Sequence, residues 1–223
     1  MAVARTGSTG PYDLGQLRRG VVAIPRGQTA ISRRHDSFLP WPVRPAAVLV
    51  LMATEDGETV TDVVMTERAA HLRRHPGQMS FPGGRLEPTD ADPGAAALRE
   101  AWEETALDPR RVELLGALPP THLSRAFATT VVLGLWAGDQ QLEPDPDEVA
   151  SVQRVRLADV VDPSIRCSAE HPRGGRGPAF ELGELFLWGF TAHVVDRLLE
   201  LAGWAVPWDR ERLVPIPERF LGA

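Results

Sequence analysis

Apolar positions along this chain fall into runs and periods that predict its elements. Ala46 to Ala53 is an unbroken apolar run of eight residues; Glu55, Asp56 and Gly57 then make a turn, and Val60 to Thr66 follows. This reads as a buried strand pair. Met79, Ser80 and Phe81 form a short segment that Pro82, Gly83 and Gly84 terminate. The strongest element is a helix from about Pro93 to Ala106, with Asp92 as N-cap, Pro93 at the first helical position and Pro109 closing the far end. Val112 to Leu118, Ala128 to Trp136 and Val149 to Leu157 read as strands, separated by Pro119 and Pro120 and by a Pro and Asp rich turn from Glu143 to Asp147. Asp162 to Pro178 is polar and rich in Gly and Arg, so it reads as a loop, with Phe180 to Phe186 as a last strand. From Gly189 to Leu201, Phe190, Val194, Val195, Leu198, Leu199 and Leu201 recur at helical spacing. The expected organisation is an N-terminal arm over residues 1–45 with a short helical stretch around Leu14, Leu17 and Val21, a domain over 46–203, and a tail over 204–223. Strands, one helix, more strands and a final helix predict an α/β (α+β) fold with a mixed sheet sandwiched between helices.

Composition narrows the class. With 223 residues, 43% hydrophobic and 24% charged, the chain has the make-up of a globular domain rather than of a disordered or fibrous one. No apolar run approaches the roughly 18 residues of a membrane-spanning helix. The first 20 residues carry Arg5, Tyr12, Asp13, Gln16 and Arg18 and no apolar core of the kind a secretory signal needs, so a cytoplasmic location is the expectation. Cys167 is the only cysteine, which rules out an internal disulfide framework and a cysteine-rich zinc site. The net charge of −6 disfavours a surface built to grip nucleic acid or an anionic membrane. A small-molecule substrate is the expected partner, and the arm leaves a homodimer open.

Chemistry concentrates on the long helix. At roughly 100° per residue Glu100, Glu103 and Glu104 share one arc, with Leu98, Ala101, Trp102 and Ala106 expected on the opposite, core side. Like charges so placed repel, and no basic residue follows four positions later to compensate. A bare run of three glutamates is most often a solvated face. Here Phe81, Pro82, Gly83 and Gly84 precede an acidic loop that leads into the helix, so bare backbone can approach an ion or a phosphate at the helix start. Clustered oxygen donors suit Mg²⁺ or Mn²⁺. Just upstream lie Arg68, His71, Arg73, Arg74 and His75, either a solvated turn or a phosphate-binding cluster of planar guanidinium forks. His71 and His75 lack a third nitrogen or sulfur ligand for zinc. Trp188, Gly189 and Phe190 are expected to pack in the core, and Cys167 has no base pattern beside it.

The stretch Gly83 to Leu107, GGRLEPTDADPGAAALREAWEETAL, resembles the Nudix box, whose core falls here on Gly84, Arg99, Glu100, Ala101, Glu103, Glu104 and Leu107. Two departures stand out. The loop before Arg99 is one residue longer, with Asp90 or Asp92 in place of the usual loop glutamate, and the Gly near the helix end is Ala106. Met65 to Gly84, MTERAAHLRRHPGQMSFPGG, resembles the signature that precedes the box in the coenzyme A diphosphatase branch, matching at Thr66, Arg68, Ala69, Arg73, Gly77, Phe81, Pro82, Gly83 and Gly84. Asp147 to Val149 and Trp188 to Ala192 also resemble that branch.

The resemblance implies a Nudix fold and Mg²⁺- or Mn²⁺-dependent cleavage of CoA or acyl-CoA to phosphopantetheine (or its acyl form) and adenosine 3',5'-bisphosphate. It implies Glu100, Glu103, Glu104 and the Gly84 carbonyl as metal ligands, Glu103 or Glu148 as the water-activating carboxylate, and Arg99 as an ion-pair partner orienting Glu103 or its neighbours. Arg68 and Arg73, with Arg74 and Gly83, are the expected substrate contacts. The alternatives are a Nudix hydrolase of another nucleoside diphosphate derivative, such as ADP-ribose, and a non-catalytic nucleotide-sensing module.

Overall fold

The computed structural model describes residues 12–22, 44–118, 121–124, 127–172 and 174–221. Most of the arm, the Pro119–Pro120 pair and Arg173 lie outside them. In chain order the elements are α1 (Leu14–Val22), β1 (Arg44–Thr54), β2 (Val60–Arg68), β3 (Met79–Ser80), β4 (Gly83–Arg85), α2 (Pro93–Thr105), β5 (Val112–Ala117), β6 (Thr121–Ser124), β7 (Phe127–Trp136), β8 (Val149–Arg156), α3 (Leu157–Val161), β9 (Arg166–Glu170), β10 (Arg176–Leu182), β11 (Leu185–Leu187), α4 (Gly189–Ala202) and β12 (Leu213–Pro215).

The apolar run becomes the spine of a mixed sheet. β1 pairs in parallel with β7 from Arg44 opposite Phe127 to Ala53 opposite Trp136. It is unbroken in hydrophobicity because both of its faces are covered. Ala47, Leu49, Leu51 and Ala53 point to a core shared with Ala96, Ala97 and Ala101 of α2. Val50 and Met52 point to the opposite core, with Leu14 and Leu17 of α1, Leu157 and Val160 of α3, and Leu198 and Leu199 of α4. The three alanines let α2 lie close on the strands. The sheet is thus sandwiched between helices, as the element order predicts.

A fork in this sheet makes the room for a site. On its other edge, β1 pairs with β2 only through its second half, Leu51 to Thr54, and with β4 through its first half, Ala46 to Val48. Beyond that point β2 holds β3 at Thr66 and Glu67 instead. The β3–β4 segment is wedged between the diverging strands, with Phe81 buried beneath it. Gly83 fits because a Cβ there would stand 2.4 Å from the Ala47 carbonyl oxygen.

Three expectations change. The polar stretch Asp162 to Pro178 is not a loop: it contains β9 and the start of β10, in a second sheet ordered β11, β10, β9, β12. Arg166 made it look exposed, yet that residue is buried, ion-paired with Asp196, with its guanidinium 5.1 Å from the Phe180 ring centre and 4.6 Å from that of Trp208. Phe180 to Phe186 is a hairpin rather than one strand, because Gly183 adopts φ 64° in the two-residue turn between Leu182 and Leu185. The tail is part of the packed structure: β12 pairs in parallel with β9, and Ile216 and Phe220 join Phe186 and Cys167 in a small core. The expected helix of the arm is present and docks so closely on α4 that a Cβ on Gly20 would lie 2.0 Å from the Leu201 carbonyl oxygen. Among the described residues no helix is long and apolar enough to cross a membrane.

Candidate active site

Helix α2 begins as its caps predict. Asp92 Oδ1 accepts the Ala95 N–H at 2.9 Å, and Pro93 occupies the first turn. Its end differs: Ala106 takes a left-handed conformation (φ 55°) and closes the helix, whereas Pro109 opens a separate 3-10 turn capped by Asp108. The orientation of α2 also corrects the expected core side. Ala97, Ala101, Glu104 and Thr105 are buried, while Trp102 is 55% exposed and Ala106 is exposed too. The buried stripe follows i, i+4, i+7, i+8 from Ala97, and Glu104 falls on it because the β3–β4 wedge, not solvent, lies opposite.

Two of the three helix glutamates meet that wedge. Glu104 Oε2 accepts the Gly83 N–H at 3.3 Å. The Glu100 carboxylate lies so near Gly84 that a Cβ there would come within 2.5 Å of its Oε1. Glu103, more exposed, turns to Arg99, whose Nη1 donates to its Oε2 at 2.7 Å. Arg99 also donates through Nη2 to Glu100 Oε1 at 3.0 Å and to the Arg85 carbonyl at 2.9 Å, and grips Asp90 with Nε and Nη2, both at 3.1 Å. The two candidate loop acids therefore divide the work: Asp90 ties the loop to Arg99, and Asp92 caps the helix.

Two further loops close round the carboxylates. The Pro and Asp rich turn docks on the helix end, where the Glu143 and Asp145 N–H groups donate to the Thr105 and Glu104 carbonyls, each at 3.0 Å. This satisfies orphan helix carbonyls and carries Glu148 near enough for its charge to act on both Glu100 and Glu104. The Arg and His loop is stitched to that turn: the Ala69 N–H donates to the Glu148 carbonyl at 2.9 Å, and His71 Nε2 lies 3.1 Å from the Asp147 carbonyl oxygen. Arg68 is close enough to act on Glu104 in turn.

A model of the NUDIX domain matches residues 43–172. The Nudix hydrolase NudL of Enterobacter sp. (strain 638) is 38% identical over 162 residues, covering 70% of this chain and 81% of that protein. The chain belongs to the Nudix family. NudL of Cronobacter sakazakii is 39% identical over 164 residues, with the same coverage. The crystal structure of the Nudix hydrolase RenU from M. smegmatis shares the fold, with a TM-score of 0.50 at 19% identity over 76% of this chain and 92% of that one. Membership carries the reaction class: this is a Nudix-type pyrophosphohydrolase of nucleoside diphosphate derivatives.

The electrostatics of the Nudix helix are those of a site short of positive charge. Burial, then the charges of Glu100 and Glu148, push the Glu104 carboxyl from 4.5 up to about 8. Burial also raises Glu100, against the opposing pull of Arg99. Hydrogen bonds from Arg99 hold Asp90 below the usual carboxylate range. Among the described residues no three Asp, Glu, His or Cys side chains converge at ligand spacing; Arg99 holds Glu103 and one oxygen of Glu100. The groups that face the wedge, the Glu100 and Glu104 carboxyls and the backbone of Gly83 and Gly84, are the oxygen donors that could hold a hard divalent ion.

The Nudix residues expected from the sequence are thus largely gathered: Gly83, Gly84, Arg99, Glu100, Glu103, Glu104, Glu148 and Arg68. Arg73 and Arg74 are exposed on the loop. The loop histidines are separated in role, His71 at the Asp147 carbonyl and His75 at Gln78, with Nδ1 3.1 Å from its Oε1. Trp188 and Phe190 pack against core clusters, as expected, but only half-buried, and both also line an open cavity with Arg68. The resemblance of Trp188 to Ala192 to the coenzyme A branch marked this segment, at the start of α4 and far from the box, but not its place beside the cavity. Cys167 is buried with its thiol pushed up to about 11, mainly by desolvation, which agrees with an inert role.

Proposed function

We propose that this chain hydrolyses the diphosphate linkage of coenzyme A or acyl-CoA, using Mg²⁺ or Mn²⁺. The observation that carries the hydrolytic site is the buried Glu104, beside Glu100 and against bare glycine backbone, in a low-dielectric setting with a deficit of positive charge. The CoA assignment rests on the resemblance of Met65 to Gly84 to the branch signature and on the longer box loop, a length that resembles the same branch and whose Asp90 is used by Arg99.

Glu100 and Glu104, with the Gly84 carbonyl and Glu103 at the margin, are the ligands we assign to the ion. When bound, such an ion neutralises diphosphate oxygens and lowers the pKa of a water. The chain's own residues do the rest. Arg99 positions Glu100 and Glu103 by holding both from one guanidinium. Glu148 is our choice of general base over Glu103, because Glu103 has an oxygen committed to Arg99. Gly83 offers a backbone approach without a side chain, Arg68 binds the diphosphate, and the exposed Arg73 and Arg74 meet the phosphate that stays toward solvent.

Incubation of the full chain with CoA and Mg²⁺ or Mn²⁺, with mass analysis of products, tests the reading. Phosphopantetheine and adenosine 3',5'-bisphosphate are expected from the native chain, and a loss of at least about 100-fold in Glu104→Gln. Full activity in Glu104→Gln refutes the metal assignment; cleavage of ADP-ribose in preference to CoA refutes the substrate.

A further inference from the structure

A cavity of about 380 Å³ lies beside the β3–β4 wedge, with Met79 and Ser80 of β3 in its lining. Trp188 and Phe190 at the start of α4 and Phe127 on β7 wall it with aromatic rings, and Arg68, His75 and Gln78 face them from the Arg and His loop. Arg68 lines the cavity, and its charge acts on Glu104. At another corner Phe127 lies under the Arg85 guanidinium, 5.6 Å from ring centre to Cζ, and the Arg85 carbonyl is held by Arg99. The cavity thus opens next to where the diphosphate is to be cleaved.

Its walls are set in place. The Trp188 ring stacks on His171 with centres 6.0 Å apart. Thr191 Oγ1 donates to the Met79 carbonyl at 2.9 Å, pinning the start of α4 to β3. Gln78 Nε2 donates to the Phe220 carbonyl at 3.0 Å, and Gln78 in turn meets His75, which is held in a left-handed conformation at φ 56°. A Cβ on Gly189 would meet nothing within 4 Å.

Charge separates this cavity from its larger neighbour across Met79. That one, of about 950 Å³, is lined by Glu67 and Glu184 as well as Arg219. The smaller one is lined by a guanidinium, an imidazole, an amide, hydroxyls and aromatic rings, and by no carboxylate. Rings that can stack on a planar heterocycle, with a single fork for a phosphate at the catalytic end, are what a nucleotide requires. The size lies within the range of small-molecule sites, about 300–1,000 Å³.

We propose that this cavity binds the nucleoside half of the substrate, the base against Trp188 and Phe190 and its 5'-phosphate at Arg68. The other half then extends away from the aromatic walls, and base recognition sets affinity. The proposal rests on the hydrolase reading above for the identity of the substrate, and its test is separate from turnover.

Calorimetric titration of the full native chain with adenosine 5'-monophosphate, which has no diphosphate to cleave, and with phosphopantetheine tests it, alongside Trp188→Leu and Phe190→Leu. Loss of stacking is expected to weaken adenosine monophosphate binding about tenfold in either variant and phosphopantetheine binding less than about twofold. Circular dichroism identifies a variant that fails to fold, and the other then decides. Unchanged nucleotide affinity, or a loss for phosphopantetheine equal to or larger than that for the nucleotide, overturns the proposal. Adenosine monophosphate binding that depends on the aromatic walls, in a chain that cleaves no CoA, sinks the CoA reading and keeps the cavity; CoA cleavage with wall-independent binding does the reverse.

Discussion

Glu104 offers the sharpest test of the electrostatics of the site. In the metal-free chain its carboxyl is shifted from 4.5 up to about 8, with burial the first cause and the Glu100 and Glu148 charges next. A folded-state pKa raised above the unfolded one means that ionisation opposes folding. The penalty is absent below the unfolded value of 4.5, grows as pH rises, and is complete above about 8. At 1.36 kcal/mol per unit, the shift sets a ceiling of about 5 kcal/mol on that penalty. Glutamine has the same shape, can accept the Gly83 N–H and carries no charge, so Glu104→Gln removes the penalty and little else. Urea unfolding in EDTA from pH 4.5 to pH 9 measures it. The native chain and the variant are expected to match near pH 4.5, and the variant to be more stable by a few kcal/mol above pH 8. Saturating Mg²⁺ is expected to stabilise the native chain and to shift the variant far less. Parallel stability curves, separated by a constant at every pH, would show that Glu104 is not an uncompensated buried charge.

Four other outcomes follow from single contacts. Gly84→Ala places a methyl group 2.5 Å from Glu100 Oε1, which the flexible end of Glu100 can escape by swinging aside; melting should be nearly unchanged while kcat falls about 100-fold, the cost of misplacing a ligand by about 1 Å. Gly20→Ala meets backbone rather than a mobile side chain, 2.0 Å from the Leu201 oxygen, and should cost about 1–3 kcal/mol in denaturant unfolding. Ala106→Gly relieves a left-handed alanine at φ 55° and should raise stability by about 0.5–1 kcal/mol in the same assay. Asp56, held at about 2 by the Thr59 and Glu58 N–H groups and by Thr54, stabilises the fold at pH above its unfolded value of 3.8 and ceases to do so as pH falls through 2. The stability gap between the native chain and Asp56→Ala should therefore close between pH 4 and pH 2 in acid titrations followed by circular dichroism.

Much of the fold was legible because local rules and tertiary needs agree in it. Asp92 and Pro93 cap the helix that they announce, and the run from Ala46 to Ala53 is the two-faced central strand. The misreadings have a common cause. Arg166 is polar in sequence and buried in space, stabilised by Asp196 and two aromatic rings that lie far away along the chain. Trp102 is apolar in sequence and exposed in space, because Glu104 takes the inward position opposite the glycine wedge. Residue type states a preference for water or oil, and a partner supplied from elsewhere can reverse it.

By itself the sequence determined the mixed sheet between helices, the Nudix box and the residue types of its chemistry, since these depend on spacing along one or two elements. Tertiary structure decided which acid is buried, how Asp90 and Asp92 divide their roles, and that Arg68, Trp188 and Phe190 line one cavity. The buried acid and the cavity depend on the fork between β1 and β2, where the β3–β4 segment is wedged against Glu104 on one side and held by Thr191, 112 residues from Met79, on the other. Spacing within an element carries no information about that meeting, because it is the packing of both sheet faces that sets it.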